Sequence, residues 1–378
     1  QPPSYEESLP NTAKNGKGFI HVLSCGSPMG LVHCIVNPAS RDFRCGKMWP
    51  KLQSKITAAG NEVQAYMTER VGHGGQIAYE IRQRWESSQQ GGESEGNPPL
   101  VVAVGGDGIV HEVASAIRGT DIVLGQLPYG SGNDYCIAHN IPRFDLDKAI
   151  EILSNGTDRR CGAWRIEGIP CQKEGDYPAP ESNVWDGVST RDGNVIRWAF
   201  LEADCGITSD IGRAKLRRAK WIKGSKKYTY LGVTTIPLWK RRKVEVSIDD
   251  GEPEIRDITL LSVTAAETFG GGYQINPGMN PVKENGLLIF APRLSRLAML
   301  SLMGPIKKGK HIGKWGITQT PANKLNLRCV TPNGEPSDSS TKIISYLNID
   351  GEPVIQLPAK LEWHLDQITV RGATQVEW

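Results

Sequence analysis

Asp107 stands among three glycines. The stretch VVAVGGDGIVHEVASAI (residues 101–117) runs four apolar residues into Gly105, Gly106, Asp107 and Gly108, then resumes with helical spacing. Glycines at a strand end let a ligand approach the backbone closely. Successive N–H groups ahead of a helix cradle phosphate oxygens. A carboxylate there suits a phosphate that arrives with a divalent cation, and does not suit a bare anion. A tight turn in which Asp107 caps the helix explains the same residues. The next apolar run repeats the arrangement. LGQLPYGSGNDYCIAHNIP (124–142) ends in Gly130, Ser131 and Gly132, followed by Asn133 and Asp134. Two consecutive strand ends with glycines and an acid favour a nucleotide site over two coincident caps. Neither G-x-x-x-x-G-K-[ST] nor G-x-G-x-x-G occurs, so the chain is neither a P-loop protein nor one with the dinucleotide fingerprint.

A third stretch carries charge. RAKLRRAKWIKGSKKYTYLGVTTIPLWKRRK (213–243) is rich in Lys and Arg and has no acid. It reads as a solvated basic face or, through Trp221, Ile222 and Trp239, as a surface for an anionic membrane. Pro2 to Tyr5 spell PPSY, a polyproline-type pattern that a WW domain would take.

The elements that must position these residues fall into two regimes. From Leu31, apolar runs alternate with segments of helical period: LVHCIVNP, then Trp49, Leu52 and Ile56; NEVQAYMT, then Ile77, Ile81 and Trp85; LVVAVGG, then IVHEVASAI. Strands separated by helices predict an α/β, doubly wound parallel sheet whose ligand lies outside the carboxyl ends of the strands. After residue 158 the rhythm changes to strands separated by turns, with a clear helical pattern only in LSRLAMLSLMG (294–304). This half is predicted to be a larger antiparallel β-sandwich or barrel. The expected division is a disordered tail over 1–28, a nucleotide-binding α/β domain over 29–158 and a β-rich domain over 159–378.

Composition agrees with this plan and narrows the partners. The 378 residues exceed one ordinary core. A net charge of +3 from 44 basic and 41 acidic residues gives no reason to expect nucleic acid. Eight scattered cysteines without a C-x-x-C pair fit reduced thiols in a cytoplasmic protein. No apolar run reaches the ~18–20 residues of a spanning helix.

VVAVGGDGIVHEV followed by LPYGSGND resembles the catalytic domain shared by diacylglycerol kinases, sphingosine and ceramide kinases and bacterial lipid kinases. IVNPAS (35–40), FGGGYQINPGM (269–279) and NIDGEPV (348–354) extend the resemblance over roughly residues 31–370. The resemblance implies ATP with Mg²⁺ in a cleft between the halves and transfer of the γ-phosphate to a lipid hydroxyl, diacylglycerol first, a sphingoid base or ceramide next. It implies a nucleotide site made by Asn37, Gly105, Gly106, Asp107, Gly108, Glu112, Ser131, Gly132, Asn133 and Lys227. Metal is expected at Asp107, Asp134 and Asp350. Glu352 resembles the glutamate base of the bacterial enzymes, and Asp107 the aspartate base of the sphingosine kinases. Leu297, Leu300 and Met303 are expected at an acyl pocket, and peripheral membrane attachment follows from the substrate.

The chain also departs from the family's pattern. Cys161-Gly162 stands where an Asp is common, Glu284-Asn285-Gly286 replaces an Asp-Gly, and Ile109 replaces a Thr. An NAD kinase shares only the GGDG turn. A non-catalytic adaptor with a kinase-like fold, recruited through PPSY and the basic face, is the reading from another class.

Overall fold

The computed structural model describes residues 30–90, 96–171, 188–190, 192–217, 222, 226–240, 242–331, 334–335 and 345–374. The PPSY motif, the expected tail and Trp221 lie outside them.

The first half alternates strand and helix: β1 (Leu31–Val36), α1 (Ser40–Ala58), β2 (Glu62–Met67), α2 (His73–Gln90), β3 (Leu100–Gly105), α3 (Asp107–Ile117), β4 (Val123–Pro128), α4 (Asp134–Ala138) and α5 (Leu146–Asn155). The strands pair in parallel in the order β2-β1-β3-β4. β3 and β4 are buried along their whole length because helices cover both faces. Ile77 and Ile81 of α2 and Ile109 and Val113 of α3 pack with Ile35, Val101, Ala103 and Leu124. Trp49, Leu52 and Ile56 of α1 and Leu153 of α5 pack on the other face with Val32, Cys34, Val102 and Val104. Each such buried aliphatic side chain contributes about 1.5–3 kcal/mol.

The chain steps outward from β1 to β2 and then returns to the far side of β1 for β3. Strand order therefore reverses between β1 and β3, which opens a crevice at their carboxyl ends. Asn37, just past β1, donates its backbone N–H to the carbonyl of Val104 in β3 at 3.0 Å.

The second half contains β5 (Thr157–Pro170), β6 (Val188–Ser189), β7 (Val195–Ala199), β8 (Glu202–Gly206), α6 (Ile207–Arg217), α7 (Lys226–Thr235), β9 (Arg242–Ile248), β10 (Glu254–Thr264), β11 (Thr268–Phe269), β12 (Tyr273–Gln274), β13 (Leu287–Pro292), α8 (Arg296–Lys307), β14 (Thr318–Pro321), β15 (Lys324–Cys329), β16 (Tyr346–Ile349) and β17 (Glu352–Gly372). All its pairings within this half are antiparallel. The sequence of pairs β8-β10-β9-β15-β17-β16-β8 closes a ring around a core that includes Trp164, Leu261, Val263, Leu325 and Leu361.

Two features depart from the sequence expectation. The basic stretch, which showed no clear helical period, supplies the end of α6 and all of α7. β17 is 21 residues long, and its end adds to the first half's sheet in parallel, Thr369 opposite Val123 and Val370 opposite Leu124. One sheet of 15 strands thus runs through both halves. Seven cysteines are described, all buried and none in a disulfide. Among the described residues no helix is long and apolar enough to cross a membrane.

Candidate active site

The two glycine turns touch each other. A Cβ on Gly130 would lie 2.2 Å from the Cα of Gly106, so these positions admit no side chain while the tips of β3 and β4 stay together. Asn133 holds the second turn in shape. It takes the left-handed conformation, φ 55°, that Asn tolerates better than most residues. Its Oδ1 accepts the N–H of Gly130 at 2.7 Å, and its Nδ2 donates to the carbonyls of Gly130 and Arg143.

Asp107 begins α3 without capping it; the preceding cap is Gly106 and has no side chain to offer. Its Oδ1 instead accepts the N–H of Tyr135, at 3.1 Å, in the first turn of α4. A Cβ on Gly132 would sit 2.7 Å from the other oxygen. Burial pushes the Asp107 carboxyl up, opposed by the N–H groups of Tyr135, Asp134 and Asn133, with the charge of Asp350 adding to the rise. Asp134 lies one turn away and accepts two N–H groups from the second half, Gly271 and Gly272, both at 2.7 Å. Burial first, and then Asp107, push its carboxyl up to about 6.

The second half brings further acids. Asp350, in the turn between β16 and β17, accepts the N–H groups of Phe200, Leu201 and Glu202 and meets Nδ1 of His111 at 2.7 Å. Glu202 is buried and its carboxyl is pushed well up, by desolvation first and then by Asp350, Asp204, Asp134 and Asp107. Asp204 is buried beside Thr208 and Asn348, and burial raises it to about 7. These acids crowd one region, whose cavity Arg70, Arg197 and Arg213 also line.

A metal ion was expected at Asp107, Asp134 and Asp350. Among the described residues no three His, Cys, Asp or Glu stand close enough to hold one. The reason is that Asp134 and Asp350 direct their oxygens to backbone N–H groups. The residues do fit a different arrangement. Oε2 of Glu202 is buried without a hydrogen-bond partner among the described residues. Such a surplus of buried carboxylate suits Mg²⁺ that takes one or two carboxylates and completes its shell with phosphate oxygens and water. It does not suit an all-protein cage.

These groups open onto one cavity of about 1100 Å³. Its polar end is lined by Asn37, Gly106, Asp107, Gly108, Glu112, Ser131 and Asp134, with Asp350 and Glu352 from the second half. Its far end is apolar, lined by Phe269, Ile275, Ile289, Met299, Leu302 and Met303 among others. Glu352, the first residue of β17, is exposed at the rim.

Several expected site residues take other places. Gly105 and Asn133 are buried behind the wall: Gly105 lets the turn close on Ile109 and Ser40, and Asn133 is a strut, while Gly132 is half-buried against the Asp107 carboxylate. Glu112 lines the cavity, but its carboxylate accepts the N–H groups of Gly72, Gly74 and Gly75 at the start of α2. It thereby satisfies donors that a helix N-terminus leaves orphaned. Burial raises its carboxyl, partly offset by those same N–H groups. Lys227 falls within α7, and its side chain lies outside the described residues. Of the expected acyl-pocket residues Met303 faces the cavity, while Leu297 and Leu300 face outward. Trp239, expected at a membrane, is buried, with Nε1 on Asp210 at 2.8 Å. At the crossover, a Cβ on Gly162 would strike Trp363 at 2.3 Å and Cys161 is buried in the core, so neither position has room for the family's acid.

The sequence reading passed over His111, Glu202, Asp204 and the residues Arg70, Val71 and Gly72 that follow β2 and line the cavity. The signals were present. Asp107 and His111 are four residues apart on one helix face, Glu202 and Asp204 share one face of an apolar strand, and VGHGG places a third glycine turn on the same edge of the sheet.

Comparison with known proteins matches this architecture. Residues 32–166 match the model of the diacylglycerol kinase catalytic domain, and residues 205–371 that of the YegS C-terminal NAD kinase beta sandwich-like domain. A "Diacylglycerol kinase" of Staphylococcus saprophyticus is 30% identical over 340 residues, 89% of this chain and 94% of that protein. A "Diacylglycerol kinase" of Mycobacterium tuberculosis is 25% identical over 231 residues, 61% of this chain and 66% of that protein. The crystal structure of a putative diacylglycerol kinase from Bacillus anthracis superposes with a TM-score of 0.63 at 14% identity, covering 92% of this chain and 98% of that one. That likeness is one of fold. With a relative at 30% identity along nearly its whole length, and with both halves matched in order, the chain belongs to the diacylglycerol kinase catalytic-domain family.

Proposed function

We propose that this protein is an ATP-dependent lipid kinase that transfers the γ-phosphate to a lipid hydroxyl, with diacylglycerol as the first candidate. The observation that carries the reading is the single cavity joining the touching glycine turns to an apolar chamber. Gly106, Gly108 and Ser131 would receive the phosphates, and the apolar end would receive an acyl chain. Glu352, an exposed residue of the cavity lining, would take the proton of the attacking hydroxyl. Asp107 and Glu202 would hold Mg²⁺ brought by the nucleotide, which neutralises charge on the transferred phosphoryl group. Phosphoryl transfer asks mainly for such positioning and charge balance.

The apolar chamber favours a lipid over NAD, a polar and charged acceptor that Ile289, Leu302 and Met303 would not solvate. A sphingoid base or ceramide would fit the same chamber and is the second candidate. Peripheral attachment to a membrane follows from such a substrate. The decisive measurement offers labelled ATP with diacylglycerol, sphingosine, ceramide and monoacylglycerol in mixed micelles, and with NAD in buffer. Label is expected in one lipid class. Label in NAD alone overturns the reading, and calorimetry that finds no Mg-ATP binding would turn it towards the adaptor.

A further inference from the structure

We infer that the outer faces of α8 and of the segment after α7 form a docking surface for a bilayer carrying anionic phospholipid. α8 is apolar on two sides. Its inner side, Met299, Leu302 and Met303, lines the cavity. Its outer side presents Leu297, 80% exposed, and Leu300 one turn further on. Leu238, in the short turn after α7, is 76% exposed. The next two residues, Trp239 and Lys240, share a shallow groove with Leu294, Arg296 and Leu297, so the two segments form one patch. Trp315 is 64% exposed, and Gly316 beside it packs on Pro292 at the approach to α8.

Isolated exposed leucines need no explanation, but this group has a charged frame of one sign. The sequence has no Asp or Glu between Asp210 and Glu245, nor between Glu284 and Glu335. These two acid-free segments supply the patch: Lys240 and Arg296 line the groove itself, Arg293 precedes α8 in the chain, and Lys307, Lys308 and Lys314 lie at its end or follow it. Asp210, the acid that touches Trp239, is engaged by Arg242. The whole chain carries a net charge of only +3, so the sequence outside these two segments is net acidic. An apolar centre with a basic frame matches a surface of acyl chains beneath anionic headgroups. It does not match an acidic protein groove equally well, because leucine and tryptophan at such exposure gain most where hydrocarbon lies below the charge.

The surface shares Leu238 and Lys240 with the basic stretch marked in the sequence but centres on α8, since Trp239 is buried. It also explains why α8 is apolar on both sides: one helix separates the lipid chamber from the membrane. Docking here serves the proposed kinase activity and rests on that reading for its purpose.

The test is sedimentation of the full chain with vesicles of phosphatidylcholine alone and of equimolar phosphatidylcholine and phosphatidylserine, without nucleotide or lipid substrate. Binding is expected only with phosphatidylserine, and it should fall as salt rises. The double variant Leu297→Glu, Leu300→Glu should bind about tenfold or more weakly, as should Arg293→Glu, Arg296→Glu. Both sets of side chains are exposed, so the thermal transition should not move. Wild-type binding by the leucine variant overturns the inference, whatever the kinase assay shows. So does absence of vesicle binding together with a dimer that Leu297→Glu dissociates, which would make the patch a protein interface. If vesicles bind through these residues while no lipid is phosphorylated, the docking surface stands and the kinase reading fails.

Discussion

Asp107 lines the cavity, and its Oδ1 receives the N–H of Tyr135. Asn has the same shape without the charge, so Asp107→Asn separates electrostatics from architecture. Turnover is expected to drop by about a thousandfold or more, a loss of the size that follows removal of a preorganised charge. The melting temperature at neutral pH should hold or rise, because burial already disfavours the charged carboxyl. A calorimetric scan beside the kinase assay checks both; an active variant sinks the role. Glu352 is the contrasting case, an acid at the rim. Glu352→Gln should lower kcat by about 10²–10⁴ and leave the KM for ATP unchanged. Asp107, Ser131 and Glu352 were legible because each lies inside a short motif whose glycines advertise a turn. Glu202, Asp204 and His111 carry a weaker signal, a shared face of a helix or strand. Their meaning depends on strands that meet only in three dimensions, His111 reaching Asp350 across 239 positions of sequence.

At the level of elements, the site is a meeting of strand tips, and the glycines divide by what surrounds them. Gly130 faces the backbone of Gly106, which cannot rotate away. Gly130→Ala is expected to lower stability by about 1–3 kcal/mol, as overpacking does, and to weaken Mg-ATP binding by prising β3 from β4. At Gly108 a methyl group would meet nothing within 4 Å. Gly108→Ala should therefore fold with a melting temperature that holds or rises, since alanine favours the helix, and any lost nucleotide affinity would report ligand contact at that spot. Equal melting temperatures for the two variants, read by thermal scan, would contradict the contact. The parallel half was legible because both-face burial writes uninterrupted apolar runs such as LVVAV. The ring closure and the return of β17 to β4 were not, since pairing partners leave no trace in the period of a strand. α6 and α7 were hidden for another reason: a basic run carries little hydrophobic contrast for a period to show in.

At the scale of the whole molecule, the charges of the cavity and of the outer faces near α8 differ in sign, and the near-neutral total conceals it. Acids gather inward around the cavity, at Asp107, Asp134, Glu202, Asp204 and Asp350, while the outer faces near α8 carry Lys and Arg. The inward acids make stability depend on pH in the direction opposite to that of a salt-bridged carboxylate. Asp204 is buried, and in the fold its pKa rises from 3.8 to about 7, chiefly through desolvation. Between those values the folded state binds more protons than the unfolded chain, so stability falls as pH rises. The penalty is absent below about pH 4 and complete above about pH 7, and a shift of this size corresponds to a few kcal/mol. Asp204→Asn removes it while keeping an amide that Thr208 can still meet. Denaturant titrations across this range should show wild-type stability declining and the variant declining less, with the two curves furthest apart at neutral pH. Parallel curves would mean that Asp204 is solvated, and that the inward sorting of charge does not reach as far as β8.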